Sequence, residues 1–170
     1  MIIAIDGPSA SGKSTTAKGV SNKLGYTHID TGSMYRAVTF GLSYENIMLD
    51  DRSRIISYLR NLALKFDSNG HIILNGKNVS NAIRTVEISS KVSKISAIPE
   101  IRSKMVDFQR NIAGKSDCVL EGRDIGTVVF PNADYKFYMI ADINIRAQRR
   151  LIELKQIDES ITIEEIISSI

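Results

Sequence analysis

The sequence predicts an α/β protein: a parallel sheet with helices on both faces, interrupted by a small inserted α+β subdomain. Three observations predict it. Apolar runs alternate with helical spacings, and that alternation is the signature of a parallel sheet with crossover helices. The alternation breaks between Lys65 and Ala113, where short β segments are separated by Asn69-Gly70 and Asn75-Gly76. The first strand runs without a linker into a glycine-bounded loop, Gly7-Pro8-Ser9-Ala10-Ser11-Gly12-Lys13-Ser14-Thr15.

In chain order, Ile2–Asp6 reads as a strand, followed by a helix with Ala17, Val20 and Leu24 on one face. Gly25 is a C-terminal stop, and Tyr26–Asp30 is a second strand. Thr31-Gly32-Ser33 reads as a turn before a helix over Met34–Tyr44, and a further helix is predicted over Arg52–Leu62. Asp50 and Asp51 mark the start of that helix, as acids at the positive end of its dipole. Leu64–Phe66, Ile72–Leu74 and Val79 are short β segments, because Asn-Gly between apolar residues favours a tight hairpin. Helices follow over Val86–Ile98 and, after Pro99, Glu100–Ile112. Strands at Cys118–Glu121 and Tyr135–Ile140, a helix from Asn144 to Lys155 and a last helix from Thr162 to Ile170 complete the pattern. The expected division is a core of 1–64 with 114–170 and an insert of 65–113.

Composition narrows the function. The chain has 170 residues, 43% hydrophobic and 24% charged, with a net charge of +3. No basic block or aromatic-interleaved basic stretch suggests a nucleic-acid partner; the mild positive charge suits small phosphorylated ligands. Cys118, the single cysteine, cannot form an internal disulfide and reads as a buried structural thiol. The absence of a signal peptide and of any membrane-length apolar run gives the expectation of a cytoplasmic protein with no membrane partner. His28 and His71 lie in β segments with no partner at metal-ligand spacing and read as structural.

The loop at 7–15 fits G-x-x-x-x-G-K-[ST] in its required place, after a strand and before a helix. Its glycines allow backbone N–H groups to approach an anion, and the helix beginning near Lys13 adds its dipole and unpaired donors. In that pattern Lys13 reaches the β- and γ-phosphates of a nucleoside triphosphate and the Ser14 hydroxyl ligates Mg²⁺. Ligands of such sheets sit at the carboxyl ends of strands. Two more segments of unusual chemistry fall there: Asp30-Thr31-Gly32-Ser33-Met34-Tyr35-Arg36 and Glu121-Gly122-Arg123-Asp124-Ile125-Gly126. Arg36 and Arg123 at two of these ends point to a second phosphate-bearing substrate, since guanidinium groups grip phosphate in a bidentate way. Read alone, Arg123 and Asp124 also suit a structural salt bridge, and single helical arginines such as Arg102 suit a solvated surface.

Three segments, IDGPSASGKST at 5–15, IDTGSMYRA at 29–37 and EGRDIGTVVFP at 121–131, with support from IRT at 83–85 and PEIRSKM…QR between 99 and 110, resemble the bacterial cytidylate (CMP) kinases. These are a branch of the P-loop nucleoside monophosphate kinases, three-layer α/β/α proteins with an enlarged monophosphate-binding insert. The resemblance implies transfer of the ATP γ-phosphate to CMP or dCMP, with ATP and Mg²⁺ as cofactors and a monomeric state. By the same resemblance, Arg36 and Arg123 grip the CMP phosphate with Thr31 beside them, and Tyr35 packs against the monophosphate. Asp124, Ser93 and Arg102 match positions that recognise cytosine, and Arg146 and Arg150 lie near the ATP phosphates. Asp30 either positions a magnesium-bound water or caps the helix that follows it. The family's chain continues past the position of Ile170 with a lid segment, a last strand and a helix, so the resemblance implies that this chain is shortened. Two other readings of the residues stay open: a P-loop kinase with another acceptor, such as shikimate, and a nucleotide-binding module without turnover.

Overall fold

The computed structural model describes residues 1–67, 69–114, 116–155 and 161–170. Residues 68, 115 and 156–160 of the expected core and insert lie outside the described residues. The elements are β1 (Ile2–Asp6), α1 (Lys13–Leu24), β2 (Thr27–Asp30), α2 (Thr31–Tyr44), α3 (Arg52–Arg60), β3 (Leu64–Phe66), β4 (Ile72–Leu74), β5 (Lys77–Asn78), α4 (Val86–Ser96), α5 (Pro99–Ala113), β6 (Cys118–Gly122), β7 (Tyr135–Tyr138), α6 (Ile143–Lys155) and α7 (Ile163–Ser169). A 3₁₀ turn at Ala82–Arg84 and a π-helical turn at Ile125–Val129 were not foreshadowed by any periodicity.

The chain divides into two compact units, Met1–Ile29 with Ser116–Ile170, and Asp30–Lys115. The first unit carries the sheet, in the order β2-β6-β1-β7. β1 lies parallel to both β6 and β7, with Ile3 opposite Val119, Ile5 opposite Glu121 and Asp6 opposite Gly122. Side chains alternate across a strand, so Ile3, Ile5, Val119 and Glu121 share one face. α1 buries Ala17 on that face against Ile3, Ile5 and Val119, with Val20 packed beside them. Gly25, with φ +69, ends α1 as the sequence predicts. Ala4, Cys118 and Leu120 are fully buried on the opposite face. Burial raises the Cys118 thiol to about 11, so it stays protonated at neutral pH. β7 lies at the edge of the sheet with all its residues exposed.

The second unit is wider than the insert expected at 65–113, because it includes α2 and α3. α2 buries Met34, Ala37, Val38 and Leu42 and packs on α4, the 3₁₀ turn and β4. Thr31-Gly32-Ser33, expected as a turn, is the first turn of α2, because the Asp30 carboxylate accepts from Ser33 N–H at 3.0 Å and caps the helix there. The β3-β4-β5 sheet is antiparallel. Asn75 and Gly76 both have positive φ, 48° and 85°, as the tight β4–β5 turn requires. The last strand is Lys77–Asn78 rather than Val79, whose buried side chain follows it. Thr85 caps α4, and Pro99 opens α5 at a position where a missing N–H costs nothing. No helix among the described residues is long and apolar enough to cross a membrane.

One packing detail in the second unit yields a direct test. The Tyr58 hydroxyl is buried with no hydrogen-bond partner, and a methyl on Gly41 would stand 1.8 Å from it. Burial, then the Glu45 charge, pushes the Tyr58 pKa up to about 12. A raised folded-state pKa means stability is intact below the unfolded value near 10 and falls as pH climbs from there towards about 12. Tyr58→Phe is expected to remove that alkaline loss and to be neutral or stabilising by up to about 1 kcal/mol at pH 7. Gly41→Ala is expected to cost about 1–3 kcal/mol by overpacking. Urea unfolding of both variants at pH 7 and pH 11 checks each expectation.

Candidate active site

The loop between β1 and α1 is shaped by three residues of positive φ, two of them glycines. Gly7 has φ +151, and a Cβ there would lie 2.2 Å from the Met139 carbonyl oxygen. Ala10 and Gly12 also have positive φ, 57° and 97°. α1 begins at Lys13 with Gly12 as its N-cap and no side chain capping it. Its leading N–H groups are therefore left to an anion, which the helix dipole also favours. Lys13 Nζ donates to the Pro8 carbonyl at 2.8 Å, folding the ammonium over the loop. The Ser11 hydroxyl is buried with no hydrogen-bond partner, a polar group that a phosphate oxygen would satisfy. Ser9 and Ala10 present their carbonyls to α6, and Thr15 is exposed on the first turn of α1.

The end of β6 completes this side of the site. Glu121 is 3% exposed; it accepts from the Ser14 hydroxyl at 2.5 Å and lies 2.9 Å from His28 Nε2. Arg123 Nη1 donates to the Gly7 carbonyl at 3.1 Å. Burial, and next the charge of Arg146, lower the Arg123 pKa; a guanidinium remains cationic in such surroundings. On α6, Arg146 approaches the Ser9 carbonyl at 3.5 Å and Arg149 donates to the Ala10 carbonyl at 3.1 Å. Arg150 instead donates to Glu153 at 2.9 Å. Lys13, Arg123, Arg146 and Arg149 thus gather around the loop, and cations brought together in this way are suited to polyanion binding.

In the second unit, Asp30 binds the hydroxyl of Ser33 and accepts from Arg36 Nη2 at 3.3 Å. Gly32 leaves room for this pairing, since a Cβ there would lie 3.1 Å from Asp30 Oδ1 and 3.3 Å from Arg36 Nη1. The Arg36 guanidinium is thereby held at the start of α2, where Thr31 is buried and Tyr35 half-buried. Ser93 on α4 and Arg102 on α5 are exposed. Asp124 leads into the π-helical turn, its carbonyl accepting from Val128 N–H at 2.9 Å.

Of the residues expected at a site, the first unit brings Lys13, Ser14, Arg123 and Arg146 to the phosphate loop, and the second holds Asp30 and Arg36 together. Arg149 escaped the sequence reading, Glu121 stood there only as the first residue of the segment 121–126 with no role, and His28 was read as structural. Glu121 could have been suspected as an acid ending the buried run Val119-Leu120. Arg149 could have been found from its i+3 spacing to Arg146, which puts both on one helix face. For His28, whose partner lies far along the chain, no sequence signal exists.

The family model described as "Cytidylate kinase" matches residues 3–170. The chain is 46% identical over 168 residues to a cytidylate kinase of Caldanaerobacter subterraneus subsp. tengcongensis, covering 99% of this chain and 75% of that one. It is 50% identical over 161 residues to a cytidylate kinase of Chloroherpeton thalassium, covering 91% and 67%. To a cytidylate kinase of Cytophaga hutchinsonii it is 44% identical over 175 residues, covering 100% and 75%.

The loop's backbone is the feature most easily broken. Gly7→Ala is expected to weaken nucleotide binding at the loop, probed by titration calorimetry with ATP, and to lower the melting temperature, because the new methyl meets the Met139 carbonyl. Retention of wild-type ATP affinity would mean that the loop has another low-energy conformation.

Proposed function

This chain belongs to the cytidylate kinase family, and from that membership and the phosphate-loop geometry we propose that it transfers the γ-phosphate of ATP to CMP or dCMP, giving ADP and CDP or dCDP. The observation that carries the reading is the pairing of an uncapped, glycine-shaped helix start with Arg123, hydrogen-bonded to the first carbonyl of the same loop. A triphosphate needs the former; an arginine for a second phosphate beside it is what a phosphoryl acceptor needs.

Phosphoryl transfer proceeds through a loose, charge-dispersed transition state, so the protein's work is alignment and charge stabilisation, with no covalent intermediate. The backbone N–H groups of 9–14 and Lys13 hold the ATP phosphates, and Arg146 and Arg149 neutralise charge along the loop. Arg150 joins them on the family's pattern. Arg36, with Thr31 beside it, and Arg123 bind the acceptor phosphate, and Tyr35 packs against the monophosphate. Asp124 accepts from the exocyclic amine of cytosine, which favours C over U, and Ser93 and Arg102 assist in reading the base. Asp30 holds Arg36 in place.

The donor set also suits Mg²⁺. Ser14 Oγ and Glu121 Oε2 stand 2.5 Å apart and are hard oxygen donors. Among the described residues no group of three or more His, Cys, Asp or Glu could hold a metal. Mg²⁺ is commonly bound through few protein oxygens together with substrate phosphates, and Ser14 Oγ is the protein oxygen that would hold it here. Ser14 and, through it, Glu121 would hold the ion beside bound ATP, where it would supply neutralising charge to the phosphates.

A coupled assay for ADP formation, with CMP, dCMP, UMP, AMP and shikimate as acceptors, tests the reading. Turnover is expected with CMP and dCMP, and Arg123→Ala is expected to lower it by roughly 10²-fold, the scale of losing one charge-stabilising donor. Turnover with shikimate or AMP in preference to CMP would overturn the assignment.

A further inference from the structure

Asp6 is a buried acid, 6% exposed, which the chemistry above leaves without a task. It ends β1 on the face opposite α1, and each of its carboxylate oxygens accepts a backbone N–H at 2.8 Å, one from Ile125 and one from Gly126. Those amides lie more than a hundred residues away and open the π-helical turn that follows Arg123-Asp124. On its other side that dipeptide is fixed by the β1–β6 ladder, which pairs Asp6 with Gly122. The segment carrying Arg123 and Asp124 is therefore a two-residue bow tied at one end by strand pairing and at the other by Asp6. The neighbouring Gly7 carbonyl accepts from Arg123 Nη1 at 3.1 Å. Asp6-Gly7 thus holds both the backbone and the guanidinium of the acceptor arginine, and Gly7 is also the first residue of the ATP loop.

We infer that Asp6 is a positioning residue for the acceptor side of the reaction: its bidentate hold on the Ile125 and Gly126 amides sets Arg123 and Asp124 in register with the phosphate loop. The inference rests on the kinase reading above. A carboxylate is required because two converging donors need two acceptor oxygens; an asparagine offers one and turns its NH₂ against the other N–H. The ATP side has its own supports, namely the loop amides, Lys13 and the Ser14–Glu121 contact. Weakening the bow should therefore affect the acceptor selectively.

Asp6→Asn is the test, read by titration calorimetry with CMP and with ATP separately and by the KM of each. CMP Kd and KM are expected to rise about tenfold, the order of one lost hydrogen bond to a charged group, with ATP values within about twofold of wild type. A purely structural role would lower the melting temperature and leave the affinities of the remaining folded protein unchanged. Unchanged CMP affinity, or equal weakening of CMP and ATP, overturns the inference. If wild type itself neither binds nor phosphorylates CMP, the kinase reading fails instead. Should Asp6→Asn not fold, amide hydrogen exchange on the nucleotide-free wild-type protein decides. Protection at Ile125 and Gly126 is expected, and exchange at the rate of an open loop overturns the assignment.

Discussion

The register of β1 against β6 is the constraint on which the rest of the site depends. Pairing Ile5 with Glu121 and Asp6 with Gly122 brings the carboxyl ends of two strands level, so the loops leaving them start side by side. Because side chains alternate across a sheet, the same register sends Glu121 to the α1 face, where it meets Ser14, and Asp6 to the other, where it meets the 125–126 amides. A slip of one residue would exchange those faces, burying Glu121 without Ser14 and releasing the turn that follows Arg123. Continuous burial of Ile3, Ala4, Ile5, Val119 and Leu120 makes such a slip costly.

That geometry produces a strongly one-signed environment. Lys13, Arg123, Arg146 and Arg149 all touch carbonyls of the phosphate loop or stand beside it, while the buried acids nearby are engaged elsewhere, Glu121 with Ser14 and His28 and Asp6 with the 125–126 amides. Carbonyl oxygens are modest partners for four cations. A polyphosphate would exchange these contacts for charge-assisted ones, which are shorter and stronger. The lowered pKa of Arg123, from burial and from Arg146, is the electrostatic trace of a site arranged for an anion.

What the sequence made legible was local. GPSASGKST between an apolar strand and a helix spacing located the phosphate loop, and Asn75-Gly76 located a hairpin, because in each case neighbouring residues dictate the backbone. What it hid was non-local. The turn at 125–129 is pinned by an acid more than a hundred residues earlier, and the Glu121 contacts join β6 to α1 and β2. The start of α2 was misread because Thr31-Gly32-Ser33 is poor helix sequence on its own, and the Asp30 side chain supplies the missing stabilisation. The second unit exceeded the expected insert because the apolar stripe of α2 has its partners in α4 and β4, which no linear pattern reveals.

The central claim, that the phosphate held by the Gly7–Ser14 loop is handed to a second phosphate and not to water, is tested most directly by following the label from [γ-³²P]ATP in the presence of CMP. The account predicts label in the terminal phosphate of CDP, appearing in step with ADP. Label in inorganic phosphate alone, at a rate indifferent to CMP, would contradict it.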